Sequence, residues 1–371
     1  MGPIKFMTKR DFHLNPPPKT ILIISMRYLG DLLLTTPLIR TLKKAYPNVE
    51  VDVLTYGNTI GMLEGNTDIR TVISSPIRPK FGDYKRIIKT LFRSYDLVVS
   101  TQTGDRQFVY SLLASARRVS FVPPRSEKGW WKRYFFQGWA EFNNLDNHTV
   151  LEFLKLPALL GLTPHYELIP PITPSLGLLE DLNIIGDYAV LHVYPQWTYK
   201  QWHKQGWIDV AHYLTQYGLK IILSGGPDKK EQDYITDIQQ ALPKDTLNLA
   251  GKVSLAELNE IISQAKLFIG PDTGITHLAA ASNIPVLTLF GPTNPIKWGP
   301  WPKHYRRSTN PYTLKGNQQV NNIYLIQGSG DCVPCDLEGC DRDRLSRSMC
   351  LDTLSSMTVI KYIDQAFETI K

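Results

Sequence analysis

Residues 267–277 read LFIGPDTGITH, and this stretch decides the fold class. Leu267 to Gly270 is short, apolar and closed by a turn signal, the pattern of a buried strand. A tight Asp272-Thr273-Gly274 turn follows, and a helical period begins at Ile275. Strand, turn and helix in immediate succession are the repeating unit of a parallel sheet covered by helices. The same unit recurs on either side. Strands are expected at Tyr188–Val193, Lys220–Ser224, Leu247–Ala250 and Val286–Phe290. Helical periods over Trp207–Tyr217, Lys230–Ala241, Leu255–Ala265 and Ile275–Ser282 separate them. Ser254 and Glu257 have the spacing of a capping box ahead of the third helix.

A second alternation precedes this one. Thr20–Ser25 (TILIIS) reads as a buried strand. Asp31 then opens a helix with Leu32, Thr35, Ile39, Leu42 and Tyr46 on one face, bent at Pro37 and stopped by Pro47. Strands at Val49–Thr55, Thr71–Ser74, Leu97–Ser100 and Arg118–Val122 alternate with helices at Tyr84–Phe92 and Gln107–Ala116. Residues 163–175 (TPHYELIPPITPS) hold four prolines and no helical period, so they read as a linker. The expectation is two α/β units, 1–165 and 166–371, with a tail helix over Thr353–Ile370. Such sheets bind ligands beyond the carboxyl ends of their strands, which points to a site in the cleft between the units.

The 371 residues are 43% hydrophobic and 20% charged, a globular composition of two-domain length. No apolar run approaches the ~18 residues of a membrane span. Met1–Lys19 lacks an apolar segment before Pro16-Pro17-Pro18, which argues against a secretory leader and for the cytosol. Four cysteines exclude a disulfide scaffold; spaced Cys332-x2-Cys335-x4-Cys340-x9-Cys350, they read as zinc ligands, free thiols or a redox site. The net charge is +7, yet residues 75–135 alone carry 13 Lys/Arg against 4 acids. That excess calls for an anionic partner. Trp130, Trp131, Tyr134, Phe135, Phe136 and Trp139 lie in or beside this segment, but no nucleic-acid-reading motif does.

Several residues could carry chemistry. Free N–H groups where a helix starts beside Gly274 suit a phosphate, with Thr273 adding a hydroxyl. Asp272 shares the phosphate's charge, so it either caps the helix or holds a ribose hydroxyl. It belongs to the chain's one Asp-Thr-Gly, which excludes an intrachain aspartic-protease pair. Lys200, in the loop VYPQWTYKQW (193–202), could meet a diphosphate. Gly225-Gly226-Pro227 permits either close ligand approach or simply a turn. Asp31 follows Gly30 at a strand-to-helix junction, where it caps the helix or faces the cleft. Gly30 is alone in that loop, so the G-x-G-x-x-G of a dinucleotide oxidoreductase is missing.

Five stretches, RYLGDLLLTTPLIRTLKKAYP (27–47), KQW (200–202), SGGPDKKE (224–231), LAGKVSLAEL (249–258) and GPDTGITHLAAASNIPVLTLFGPTNP (270–295), together resemble glycosyltransferase family 9, the lipopolysaccharide core heptosyltransferases. The resemblance implies a GT-B fold: two Rossmann-like domains facing across a cleft, acceptor on the first, nucleotide sugar on the second. It implies inverting transfer from ADP-heptose to the lipopolysaccharide inner core, with no cofactor and no bound metal. Asp31 would be the general base and Lys200 would meet the donor phosphates. Asp272, Thr273, Gly274 and His277 would line diphosphate and sugar, Val253 the adenine, and Glu231 the ribose. Gln196 departs from the small residue the family often has there. Arg106, Arg117, Arg118, Lys132 and Arg133 would serve the acceptor or an anionic membrane surface, making the enzyme peripheral on the cytoplasmic side of the inner membrane. A GT-B transferase with another nucleotide sugar and a sugar-nucleotide epimerase are the alternatives on the same scaffold.

Overall fold

A computed structural model of the chain describes residues 7–8, 14–173 and 177–370. Most of the segment read against a secretory leader (1–6 and 9–13), and 174–176 of the linker, lie outside the described residues. The chain divides into two compact units. The first runs to Ile169 and includes Arg306–Thr309; the second comprises Pro170–Tyr305 and Asn310 onward.

The first unit is built on strands β1 (Met7–Thr8), β2 (Thr20–Ile24), β3 (Glu50–Tyr56), β4 (Thr71–Ser75), β5 (Leu97–Ser100), β6 (Arg118–Phe121) and β7 (Gly138–Ala140), in the order β1-β7-β6-β5-β2-β3-β4. All neighbours are parallel except β1 and β7. Helices α1 (Leu29–Leu34), α2 (Thr36–Ala45), α3 (Phe81–Leu91), α4 (Asp105–Ala114) and α5 (Thr149–Ala158) accompany them. Ile21–Ile24 are wholly buried, as a central strand covered on both faces requires. The helix expected to open at Asp31 begins at Leu29, and Asp31 lies in its first turn. It breaks at Thr35 rather than bending at Pro37. The Thr35 hydroxyl donates to the Asp31 carbonyl at 2.9 Å and shares a hydrogen bond with Ser25. Pro37 sits in the first turn of α2, where its missing N–H costs nothing. Strand order reverses at β2, which has β3 on one side and β5 on the other. The loops after β2 and β5 meet there: Thr101 Oγ1 donates to Ser25 Oγ and to the Ile24 carbonyl, both at 3.2 Å.

The second unit repeats the plan with β8 (Tyr188–His192), β9 (Lys220–Ser224), β10 (Leu247–Asn248), β11 (Leu267–Pro271), β12 (Val286–Phe290), β13 (Gln318–Val320) and β14 (Ile323–Gln327), in the order β10-β9-β8-β11-β12-β14-β13. Its helices are α6 (Leu178–Asp181), α7 (Lys204–Gln216), α8 (Lys229–Gln239), α9 (Leu255–Ser263), α10 (Gly274–Ala280), α11 (Pro295–Trp298), α12 (Met349–Asp352) and α13 (Ser356–Ile370). Alternate strand residues enter two cores. Leu191, Ile221 and Ile269 pack with Trp202, Trp207 and Val359, whereas Val190, Ile222 and Phe268 pack with Ile262 and Phe290. The Ser254–Glu257 capping box closes in both directions. The tail helix α13 packs on α7, with Ser356 Oγ donating to Asp209 at 2.8 Å. Among the described residues no helix is long and apolar enough to cross a membrane.

Candidate active site

In the second unit the strand order reverses at β8, between β9 and β11. Two loops leave the sheet side by side there, one after β8 and one after β11, and this is where an open α/β sheet has its crevice. Lys200 comes from the first loop and Asp272 from the second; Nζ lies 2.6 Å from Oδ2. Asp272 is buried, so an uncompensated charge there would be costly and the ammonium is its counterion. This corrects the capping reading of Asp272. The N-cap of α10 is Thr273, whose Oγ1 accepts from the Thr276 N–H at 3.3 Å. Gly274 opens the helix and His277 lies buried within it. The strand end is equally tight. A side chain at Gly270 would come within 2.8 Å of Thr276 Oγ1, which itself donates to the Pro271 carbonyl.

The KQW stretch explains how Lys200 is held. Trp202 is fully buried, stands edge-on to Trp207 at 5.1 Å and donates from Nε1 to the Leu354 carbonyl at 2.7 Å. Ser348 Oγ donates to the Tyr199 carbonyl at 2.7 Å. Residues from the chain's far end thus anchor the lysine loop on both sides of Lys200.

Beyond β9, Gly225 and Gly226 make room for a carboxylate. The Gly226 N–H donates to Glu231 Oε1 at 2.7 Å, and a Cβ on either glycine would fall 2.9 Å from a Glu231 oxygen. Burial raises the Glu231 pKa, against the lowering effect of the Gly226 hydrogen bond. Val253 is half-buried against the core containing Ile262, one residue ahead of the α9 cap. His192, at the end of β8, went unremarked in the sequence. It is buried, its Nδ1 lies 3.2 Å from Ser224 Oγ, and burial pushes its pKa down to about 4, leaving the ring neutral.

In the first unit Asp31 sits at the strand reversal. Arg27 Nη1 donates to Oδ1 at 2.9 Å, and Oδ2 has no partner among the described residues. The α1 N-cap position is Tyr28 and no side chain caps it, so Asp31 is not a cap. Its guanidinium partner stacks over Phe142 and Phe153 at 5.6 and 5.9 Å, which fixes the carboxylate's orientation. Arg27 was missed as a site residue, although Arg and Asp four apart, spanning the start of a helix, were a usable signal.

The model of glycosyltransferase family 9 (heptosyltransferase) matches residues 181–324. Lipopolysaccharide heptosyltransferase 3 of Escherichia coli is 32% identical over 292 residues, 74% of this chain and 84% of that protein. The chain belongs to glycosyltransferase family 9. Lipopolysaccharide heptosyltransferase 3 of Escherichia coli strain K12 is 29% identical over 349 residues, 86% of this chain and 99% of that one. The solved structure of E. coli ADP-heptose lps heptosyltransferase II superposes with a TM-score of 0.73 at 17% identity, covering 94% of this chain and 99% of that one; the fold is GT-B.

Two of the basic residues of this family 9 chain, Lys132 and Arg133, need correction. They do not face solvent. Lys132 Nζ donates to the Thr103 carbonyl at 2.6 Å and to Asp105 at 2.7 Å, lowering the Asp105 pKa. Arg133 lies over the Trp139 ring at 4.4 Å and donates to the Trp130 and Pro123 carbonyls. Both are buried because their charged heads satisfy carbonyls that irregular chain leaves open. Arg118 donates to the Phe135 and Ser115 carbonyls, Arg117 to Pro16, and Arg106 to Pro76 and Ile77. Among the described residues no cluster of three or more His, Cys, Asp or Glu is arranged for a metal. Cys332 and Cys340 are exposed. Burial, helped by the neighbouring thiols, pushes Cys350 up to about 11.

Proposed function

We propose that this family 9 enzyme transfers a heptose from ADP-heptose to a hydroxyl of the lipopolysaccharide inner core, with inversion at the anomeric carbon. The observation that carries the reading is the Lys200–Asp272 pair at the strand reversal of the second unit. An ammonium held in place there meets the donor diphosphate as a point charge. Thr273, Gly274 and His277 contact diphosphate and sugar, the Glu231 carboxylate accepts from the ribose hydroxyls, and Val253 lies against the adenine. Asp272 orients Lys200 in this scheme. In the first unit Asp31 is the general base: Arg27 holds one carboxylate oxygen, and the other takes the proton of the acceptor hydroxyl as it attacks. The carbon–oxygen bond to the nucleotide breaks as the new glycosidic bond forms, and ADP leaves with the electron pair. Names carried by the relatives support heptose and lipopolysaccharide as donor sugar and acceptor.

The test is product formation from heptose-terminated core acceptors with a panel of ADP- and UDP-sugars, read by mass spectrometry, with anomeric configuration by NMR. ADP-heptose should be the productive donor and the product inverted. Turnover of a UDP-sugar alone, or epimerisation without transfer, would replace this reading.

A further inference from the structure

The outer face of α3 is not that of a solvated helix. At about 100° per residue, Phe81, Tyr84, Ile88 and the following Phe92 fall within one arc of roughly 80°. They are 85, 39, 37 and 56% exposed, while Ile87 and Leu91 alone turn into the core. Lys85 and Lys89 border the arc, and Arg78, Lys80 and Arg93, also exposed, precede and follow it. The helix has one acid, Asp83, which accepts from the Lys80 backbone N–H at 2.9 Å. A helix facing water alone carries polar residues on such an arc.

A second exposed apolar group lies nearby. Trp130, Trp131, Tyr134 and Phe135, in the short helical turn over 130–135, are all exposed. Both groups pack on α4: α3 directly, and the aromatic turn through Phe108, whose ring meets Trp131 and Phe135 edge-on at 5.5 Å. At the start of α4, Arg106 donates to the Pro76 and Ile77 carbonyls. That ties the approach to α3 to the carboxyl ends of the strands, the end of the sheet where Asp31 sits.

We infer that this face, α3 with the 130–135 turn, docks on an anionic lipid bilayer. The aromatic rings and Ile88 enter the headgroup boundary, and Lys80, Lys85, Lys89 and Arg93 meet lipid phosphates. The placement rests on the reading of the acceptor as a membrane lipid. A soluble polyanion would engage the lysines yet leave Phe81 and Ile88 in water; a bilayer satisfies both. The docking residues do not include Lys132 and Arg133, which are buried with their charged heads on the Thr103, Trp130 and Pro123 carbonyls.

Full-length protein is mixed with phosphatidylethanolamine/phosphatidylglycerol vesicles or with phosphatidylcholine vesicles, and binding is read by co-sedimentation and tryptophan emission. Binding should favour the anionic vesicles, weaken with salt and shift emission to the blue. Lys85→Ser with Lys89→Ser should weaken it roughly 30-fold, from two charges near an anionic surface. Phe81→Ser with Ile88→Ser should weaken it at least about tenfold while keeping the salt dependence. A thermal melt identifies variants that fail to fold; for these Phe81→Gln alone replaces the pair. Wild-type binding by the folded apolar variant overturns the inference. So does a dimer, seen by analytical ultracentrifugation, that the apolar variant dissolves. Heptose transfer to a delipidated, water-soluble core acceptor is measured on the same samples. Its retention alongside lost vesicle binding supports docking, while absence of transfer by the wild type to both this acceptor and a vesicle-borne one refutes the functional reading and leaves the vesicle result to decide docking by itself.

Discussion

Replacing Asp31 by Asn removes a charge and almost nothing else. Asn is nearly isosteric and can still accept from Arg27, so the guanidinium keeps a partner. Asp31 is 8% exposed and its Oδ1 is 2.9 Å from Arg27 Nη1. A hydrogen bond to a charged group nets about 1.5–3 kcal/mol, and one partner remains charged, so we expect a loss at or below about 1.5 kcal/mol. In a domain of this size that lowers the melting temperature by a few degrees, roughly 3–6 °C. Catalysis should suffer far more. General-base assistance is worth about 10²–10⁴ in rate, or roughly 2.7–5.4 kcal/mol of barrier. No helix-capping role competes for the explanation, since Asp31 makes no cap. Single-turnover transfer at saturating donor, with donor affinity measured by calorimetry, separates the terms. Turnover should fall at least ~10²-fold with donor affinity unchanged. Turnover within tenfold of wild type in a folded variant would refute the base assignment, and so would a loss matching the loss of donor affinity.

Lys200→Ala should weaken ADP binding by about 1.5–3 kcal/mol, roughly 10- to 100-fold, and also lower the melting temperature, because it leaves the Asp272 carboxylate buried without its counterion. Adding Asp272→Asn should restore the melting temperature but not the affinity; calorimetry and thermal melts on the three variants check this. His192 makes stability depend on pH. Its folded-state value, about 4, lies below the ordinary 6.5, so between these pH values the unfolded chain binds a proton the native one does not. Stability is therefore full above about 6.5 and falls as pH drops toward 4, and denaturant titrations should show that slope flattened in His192→Gln.

Much of this was legible in the sequence because central parallel strands are buried on both faces and so read as unbroken apolar runs. Leu97–Ser100, Lys220–Ser224 and Val286–Phe290 begin and end where the apolar pattern does. Helix ends shifted by one to three residues wherever the cap was not a recognised side chain. The helix at Leu29 starts behind Tyr28, and α3 starts behind Lys80. The hairpin β13–β14 escaped because two of the three residues of Gln318–Val320 are polar and its partner, though apolar, follows no helix. At the site, Lys200 and Asp272 were each picked out, but their pairing spans 72 residues and no spacing rule reaches that far. Lys132 and Arg133 misled for the opposite reason. Charged residues are almost never fully buried unless paired, and the carbonyls that pair them belong to irregular turns no pattern foretells.

The anchoring of the Lys200 loop has a consequence for how the protein is made. Trp202 is held by the Leu354 carbonyl, 152 residues later, and Tyr199 by Ser348. During synthesis from the N-terminus, strands β8 to β12 can emerge and pair while the loop beside them still lacks its supports. The loop gains those supports only after Ser348 and Leu354 have left the ribosome. A product cut short before Ser348 therefore keeps Lys200 in its sequence and the sheet around it, but loses the Leu354 and Ser348 contacts that brace its loop on either side.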